Sequence, residues 1–342
     1  MRAFITGVAG LALTDRERSF LREAQPWGLI LFRRNVASPE QLRGLVQEMR
    51  DGLGRRAPVL IDQEGGRVQR LGPPHWPAFP PGAAYGTAYK RDREQGLAAA
   101  RLGARLIAAD LFALGIDVDC LPIADVPVQG ADPIVGDRAY GSEPGKVAVI
   151  ARAVAQGLAD GGVLPVVKHI PGHGRAVVDS HQKLPVVEAD RALLEATDFA
   201  AFVPLADLPM AMTAHVVFSA IDAVAPATVS ATIVREVIRG SIGFDGLLMS
   251  DDISMQALSG TVGERTRSAI AAGCDIVLHC NGEMSEMKAV AAEAPLLAGE
   301  AARRAEAALS GKKVPAPLDV AAGRAEFFRL MAGSWQPAEP YA

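Results

Sequence analysis

The chain has 342 residues, 49% of them hydrophobic and 22% charged, and a formal net charge of -4. This is the composition of an ordinary folded domain. The acidic balance argues against nucleic acid as a partner, because phosphate binding needs clustered positive charge. No apolar run reaches the roughly 18 residues of a transmembrane helix, so no membrane partner is expected.

Taken in chain order, Ala3–Val8 reads as a first strand with a turn behind it. A cleaved signal is the poorer reading: Met1-Arg2 supplies a single positive charge, Gly7 and Gly10 interrupt the apolar run, and no clear small-x-small site follows. Further short apolar runs stand at Gly28–Phe32, Pro58–Asp62, Ile116–Leu121, Val163–Lys168, Pro209–Ala214, Gly246–Ser250 and Asp275–His279. Most are apolar throughout rather than alternating, as parallel strands buried on both faces are. Helical patterns fill the gaps. Ser38-Pro39-Glu40-Gln41 predicts a capping box opening a helix to Arg50. Glu94–Leu114 predicts a long helix stopped by Gly115, and Pro144–Asp160 another before Gly161-Gly162. Asp190–Leu205, Ser230–Arg239, Gly263–Ala272 and Ala321–Met331 complete the set. Strands alternating with helices in this way predict a single (β/α)8 barrel of the TIM type over residues 1–342, with residues 311–342 as a C-terminal extension packed on it. An open doubly wound sheet would carry a Gly-rich phosphate loop after its first strand, and Gly7-Val8-Ala9-Gly10 is too short to be one. The three cysteines, Cys120, Cys274 and Cys280, sit in or beside apolar runs with no CxxC pair. They read as reduced thiols, which suits the cytosol.

Barrel enzymes build their sites at the C-terminal ends of the strands. Here those ends carry Asp62, Lys168-His169, His215 and Asp251-Asp252. Any one of them is equally a helix cap; together they mark one rim. Three segments stand out. In Asp62-Gln63-Glu64-Gly65-Gly66-Arg67-Val68-Gln69-Arg70 the glycine pair permits a sharp turn, so that Asp62 can accept from hydroxyls while an arginine reaches in as donor. Lys168-His169-Ile170-Pro171-Gly172-His173-Gly174, running on to Asp179-Ser180-His181, is barred from helix by Pro171, Gly172 and Gly174, and reads as a loop rich in titratable groups. Leu248–Met255 places a carboxylate pair where a strand leaves the barrel. A metal is not expected: no HExxH helix is present, and the PGHG stretch cannot set two histidines on one helical face. His75 reads as a loop residue, His279 as a core histidine, and His173 admits loop bracing as well as catalysis.

In these segments, and from Gly28–Phe32 through Thr213-Ala214-His215 to Ala272-Gly273-Cys274-Asp275, the sequence resembles glycoside hydrolase family 3, specifically its bacterial single-domain β-N-acetylglucosaminidases. The resemblance covers nearly the whole chain. It implies Asp251 as nucleophile, His181 as acid/base and Asp179 as its partner. It implies sugar binding by Asp62, Arg70, Arg138, Lys168 and His169. The implied reaction is removal of terminal N-acetylglucosamine with retention, from N-acetylglucosamine joined to 1,6-anhydro-N-acetylmuramic acid, with or without peptide. The implied setting is cytoplasmic peptidoglycan recycling, by a monomer without cofactor or metal. Two small departures, Ala139 after Arg138 and Ile170 where phenylalanine is common, remove no proposed side chain. A histidine replaces the usual second carboxylate of a retaining glycosidase. With an ordinary pKa of about 6.5, an imidazole offers both protonation states near neutrality. The competing readings are a family 3 β-glucosidase or broad exo-β-hexosidase, an inactive sugar-binding barrel, and a metal-dependent barrel hydrolase.

Overall fold

All eight runs expected to be strands are strands. In the computed structural model, which describes residues 1–336, they are β1 (Arg2–Thr6), β2 (Pro26–Leu31), β3 (Val59–Ile61), β4 (Val118–Asp119), β5 (Leu164–Ile170), β6 (Met210–Thr213), β7 (Leu247–Asp252) and β8 (Ile276–His279). Each pairs in parallel with its neighbours in sequence, and β8 closes on β1 through Phe4–Val277 and Ile5–Leu278. The chain is therefore a (β/α)8 barrel, and the open sheet is excluded. Residues 337–342 of the expected extension lie outside the described residues.

The period of two along each strand separates two cores. Ile5, Ile30, Leu60, Val166, Met210, Met212, Met249 and Leu278 point inward and fill the barrel. Phe4, Leu29, Leu31, Val167, Ala211, Leu248 and Val277 point outward under the helices. Both faces are dry, which is why the runs carry no polar alternation. Each of these side chains larger than alanine contributes about 1.5–3 kcal/mol on burial.

Helices α1 (Asp15–Ala24), α2 (Pro39–Leu53), α3 (Gly82–Arg91), α4 (Arg93–Ala113), α5 (Pro144–Asp160), α6 (Arg191–Ala196), α7 (Val262–Ala272), α8 (Met284–Glu293), α9 (Gly299–Ser310) and α10 (Val320–Met331) surround the strands. Gly157 of α5 faces α4, where a Cβ would stand 2.1 Å from the Arg101 carbonyl oxygen. Ala305 and Ala308 of α9 stopper the N-terminal mouth of the barrel, against Trp27, Leu164 and Leu247 at the strand starts. The C-terminal rim is left for chemistry. Phe327 of α10 packs in the outer core, beside the Tyr85 and Phe79 rings. No described helix is long and apolar enough to cross a membrane.

Three expectations are corrected. Ser38 caps α2 by accepting from the Gln41 N–H, but Gln41 accepts from Ala37 rather than Ser38, so the box is half made. Asp190–Leu205 is not one helix: α6 ends at Ala196, and two 3-10 turns follow at Phe199–Ala201 and Val203–Leu205. Thr197 leaves helical geometry while Asp198 turns to meet Arg175, and Pro204 supplies no N–H. The helix expected at Ser230–Arg239 is π-helical over Ile233–Ser241.

Candidate active site

A cavity of about 260 Å³ opens at the C-terminal rim, lined by Asp62, Glu64, Arg70, Arg138, Lys168, His169, His181 and Asp251, with Phe32, Met212, Met255, Leu278 and Cys280 on an apolar wall. Seven of the eight residues proposed for the site thus meet in one cavity. The eighth, Asp179, stands behind His181.

Local backbone explains the convergence. Gly65 (φ +96°) and Gly66 (φ +56°) turn a hairpin directly after β3, where a Cβ on Gly65 would stand 2.3 Å from the Pro80 carbonyl oxygen. The Gln63 side chain accepts from the Arg70 and Leu71 N–H groups and donates to the Leu71 carbonyl, which folds the segment back. Arg70 Nη2 then reaches Asp62 Oδ2 at 3.1 Å. On β5 the register against β6 slips between Lys168 and Ile170. Regular strands send successive side chains to opposite faces; the slip lets Lys168 and His169 both enter the cavity. The strand runs on to Ile170, so the loop begins two residues later than the sequence suggests.

One wall is a bank of opposed charges. Lys168 Nζ lies 2.7 Å from both Asp62 Oδ1 and Glu64 Oε1. Arg138 grips Glu64 with two bonds, of 2.8 and 2.7 Å. Burial favours the neutral acid at Asp62, but the Lys168 ammonium and the Arg70 guanidinium hold it far below the usual carboxylate range. Glu64, against the same burial, is held down to about 2 by Lys168 and Arg138. Lys168, though buried, stays charged between the two carboxylates.

Glu64 yields a prediction. Its folded pKa lies below its ordinary 4.5. The stability it contributes is therefore complete above about pH 4.5 and lost as pH falls towards about 2. Glu64→Gln leaves two buried cations short of a partner, and should cost about 3 kcal/mol at neutral pH and raise KM. Urea unfolding of both proteins at pH 7 and pH 3 checks this: the gap should narrow at pH 3, and an unchanged gap contradicts it.

The carboxylate pair at the end of β7 is divided by its bonds. Asp252 is committed: Oδ1 accepts from the Ser254 and Cys280 N–H groups and Oδ2 from the Ser254 hydroxyl. Asp251 Oδ1 accepts from the Asp252 N–H at 2.7 Å, and among the described residues nothing donates to Oδ2. Burial raises the Asp251 pKa, yet the imidazoles of His215, His169 and His181 and the Asp252 N–H bring it below the ordinary value. Asp251 is thus an ionised carboxylate with one uncommitted oxygen at a cavity wall. His215 braces the same strand end. Its Nε2 faces the Asp252 carbonyl oxygen at 3.0 Å, so that nitrogen carries the proton, and Nδ1 accepts from Thr228. Burial lowers the His215 pKa, against the pull of the Asp251 carboxylate.

Two histidine–aspartate pairs flank the cavity. His169 Nδ1 lies 2.6 Å from Asp125 Oδ2, and its Nε2 has no partner among the described residues. On the loop, His181 Nδ1 and backbone N–H lie 2.8 and 2.9 Å from Asp179 Oδ1, while its side chain is 60% exposed. Despite partial burial, the bonds from His181 hold Asp179 below its ordinary pKa. Sequence reasoning missed Asp125 and gave Glu64 no role. Asp125 follows the apolar run after β4, so the strand-end rule reaches it; Glu64 offers no signal of its own.

The sequence pattern described as the glycosyl hydrolase family 3 N-terminal domain matches residues 6–307. This chain belongs to glycosyl hydrolase family 3. A β-hexosaminidase of Alkalilimnicola ehrlichii is 41% identical over 281 residues, 80% of this chain and 79% of its own. One of Chromobacterium violaceum is 39% identical over 303 residues, 87% of this chain and 84% of its own. Among solved structures, NagZ from Neisseria gonorrhoeae in complex with N-trifluoroacetyl-D-glucosamine superposes with a TM-score of 0.82 at 31% identity, covering 97% of this chain and 96% of that one. The family 3 fold thus carries the rim cavity described above.

Proposed function

We propose that this chain is a retaining exo-β-N-acetylglucosaminidase. Its substrate in this reading is terminal non-reducing N-acetylglucosamine on peptidoglycan fragments, joined to 1,6-anhydro-N-acetylmuramic acid. The observation that carries the reading is Asp251: ionised, with a free Oδ2, in one cavity with His181, which Asp179 backs. Asp251 attacks the anomeric carbon as the glycosidic bond breaks, and the His181 imidazolium gives its Nε2 proton to the leaving oxygen. A covalent glycosyl-aspartate results. His181, now neutral, takes a proton from water, which displaces Asp251 and restores the original configuration. Asp179 holds Nδ1–H, which aims Nε2 at the sugar and supports the charged ring.

The opposite wall suits a neutral sugar. Lys168, Arg138 and Arg70 each already have a carboxylate partner in Asp62 or Glu64, so the bank offers a sugar paired donors and acceptors rather than an unpaired ion. In this reading the enzyme works as a monomer in the cytoplasm, which its three free cysteines suit. Comparing an aryl N-acetylglucosaminide with the matching aryl glucoside, and assaying release of N-acetylglucosamine from the anhydro disaccharide, tests the proposal. The first should exceed the second in kcat/KM by about a hundredfold or more; faster glucoside cleavage would favour a β-glucosidase instead.

A further inference from the structure

The His181–Asp179 pair has good internal geometry but a weak hold on the barrel. All the hydrogen-bond partners of the Asp179 side chain lie on its own loop, at His181 and Gln182. The first part of the loop is pinned elsewhere, by Arg175 to Asp198 and Thr197. Beyond it Val177 is exposed. Among the described residues, one hydrogen bond ties positions 177–183 to anything outside that stretch. It runs from Ser180, the residue between the two members of the pair. Ser180 is 2% exposed, and its hydroxyl lies 2.9 Å from His173 Nε2. His173 is also buried, and its backbone N–H donates to Asp125 Oδ1 at 2.7 Å. The other oxygen of Asp125 holds His169, on the sugar-binding wall.

We infer that the Ser180–His173 hydrogen bond, footed on Asp125, is a latch that holds His181 over the cavity. His173 and Ser180 lie on the wall of the same cavity, and in this inference they act as positioning residues, through His181. Burial and the nearby His169 lower the His173 pKa to about 4, so the ring stays neutral at working pH. Either neutral tautomer keeps a bond to a hydroxyl, which both donates and accepts. The one carboxylate of Asp125 thereby fixes the sugar wall and the proton donor to a common reference.

The inference rests on His181 being the acid/base, and the experiment separates the two claims. Ser180→Ala is made alone and in a His181→Ala background, with Ser180→Thr as the variant that keeps the hydroxyl. His173→Phe keeps a ring without nitrogen and serves as a second probe. Each is assayed on an N-acetylglucosaminide with a poor leaving group and on the dinitrophenyl glycoside. Ser180→Ala should lower kcat/KM on the poor leaving group about tenfold, with KM unchanged, and kcat/KM on the activated substrate by less than about twofold, because kcat/KM reports the bond-cleaving step that the leaving group governs. Ser180→Thr should recover most of that loss, His173→Phe should copy Ser180→Ala, and Ser180→Ala should add nothing once His181 is gone. Equal losses on both substrates, or additive losses in the His181→Ala background, overturn the latch alone. If His181→Ala itself shows no dependence on the leaving group, the acid/base reading falls and the latch falls with it.

Discussion

Asp251→Ala should lower kcat at least about a thousandfold, because it removes the attacking atom rather than an aid to attack. The loss should be the same on activated and unactivated substrates, since no leaving group compensates for a missing nucleophile. Thermal stability should barely change: Asp251 accepts one hydrogen bond, from the adjacent Asp252 N–H, and catalytic groups are seldom optimised for stability. Added azide should restore cleavage of the activated substrate in a single displacement, giving the α-glycosyl azide. Asp252→Ala should behave differently. It unties Ser254 and Cys280, so it should lower the melting temperature along with activity, and azide should not help. Kinetics, thermal melts and product analysis of both variants check this. Rescue of Asp252→Ala by azide in place of Asp251→Ala would reverse the assignment.

His181→Ala should hurt most where the leaving group most needs a proton. On the disaccharide, whose leaving group is poor, the loss should be about 10²–10⁴-fold, the usual contribution of general acid–base catalysis. A dinitrophenolate departs almost unaided, so bond cleavage there should be nearly unimpaired, with the glycosyl-enzyme then accumulating for want of a base. Azide needs no deprotonation, and should release that intermediate as the β-glycosyl azide. The two variants thus give azides of opposite configuration, which ties each role to one residue. Asp179→Asn keeps the ring but loses the charged acceptor at Nδ1, 2.8 Å away, and should give a milder version of the same pattern. If His181 only braces the loop, both substrates suffer alike and no azide product forms.

The fold was legible because buried parallel strands leave an unmistakable trace: short apolar runs, separated by helical spans, with a polar residue where several of them emerge. That trace located β1 to β8, and with them Asp62, Lys168 and Asp251. It did not reveal α9 as the stopper, because its small inward residues, Ala305 and Ala308, read as unremarkable helix formers. Nor could it separate Asp251 from Asp252. The two are equivalent in type and neighbours in sequence, and only the bonds that bind Asp252 to Ser254 and Cys280 distinguish them. The entry of both Lys168 and His169 depends on a slip in strand register, which side-chain chemistry does not encode locally. Glu64 and Asp125 act by holding other residues. Their partners lie 74 and 48 positions away; local pattern can place Asp125 beyond a strand end but not show what either carboxylate holds.

The central claim is that Asp251 Oδ2 becomes covalently bonded to the sugar. A 5-fluoro glycosyl fluoride of N-acetylglucosamine slows breakdown of such an intermediate and lets it accumulate. Intact-protein mass should rise by one fluorinated sugar per chain, and proteolytic mapping should place the label on Asp251. A label on Asp252 or Glu64, or steady turnover with no covalent species, would contradict the account.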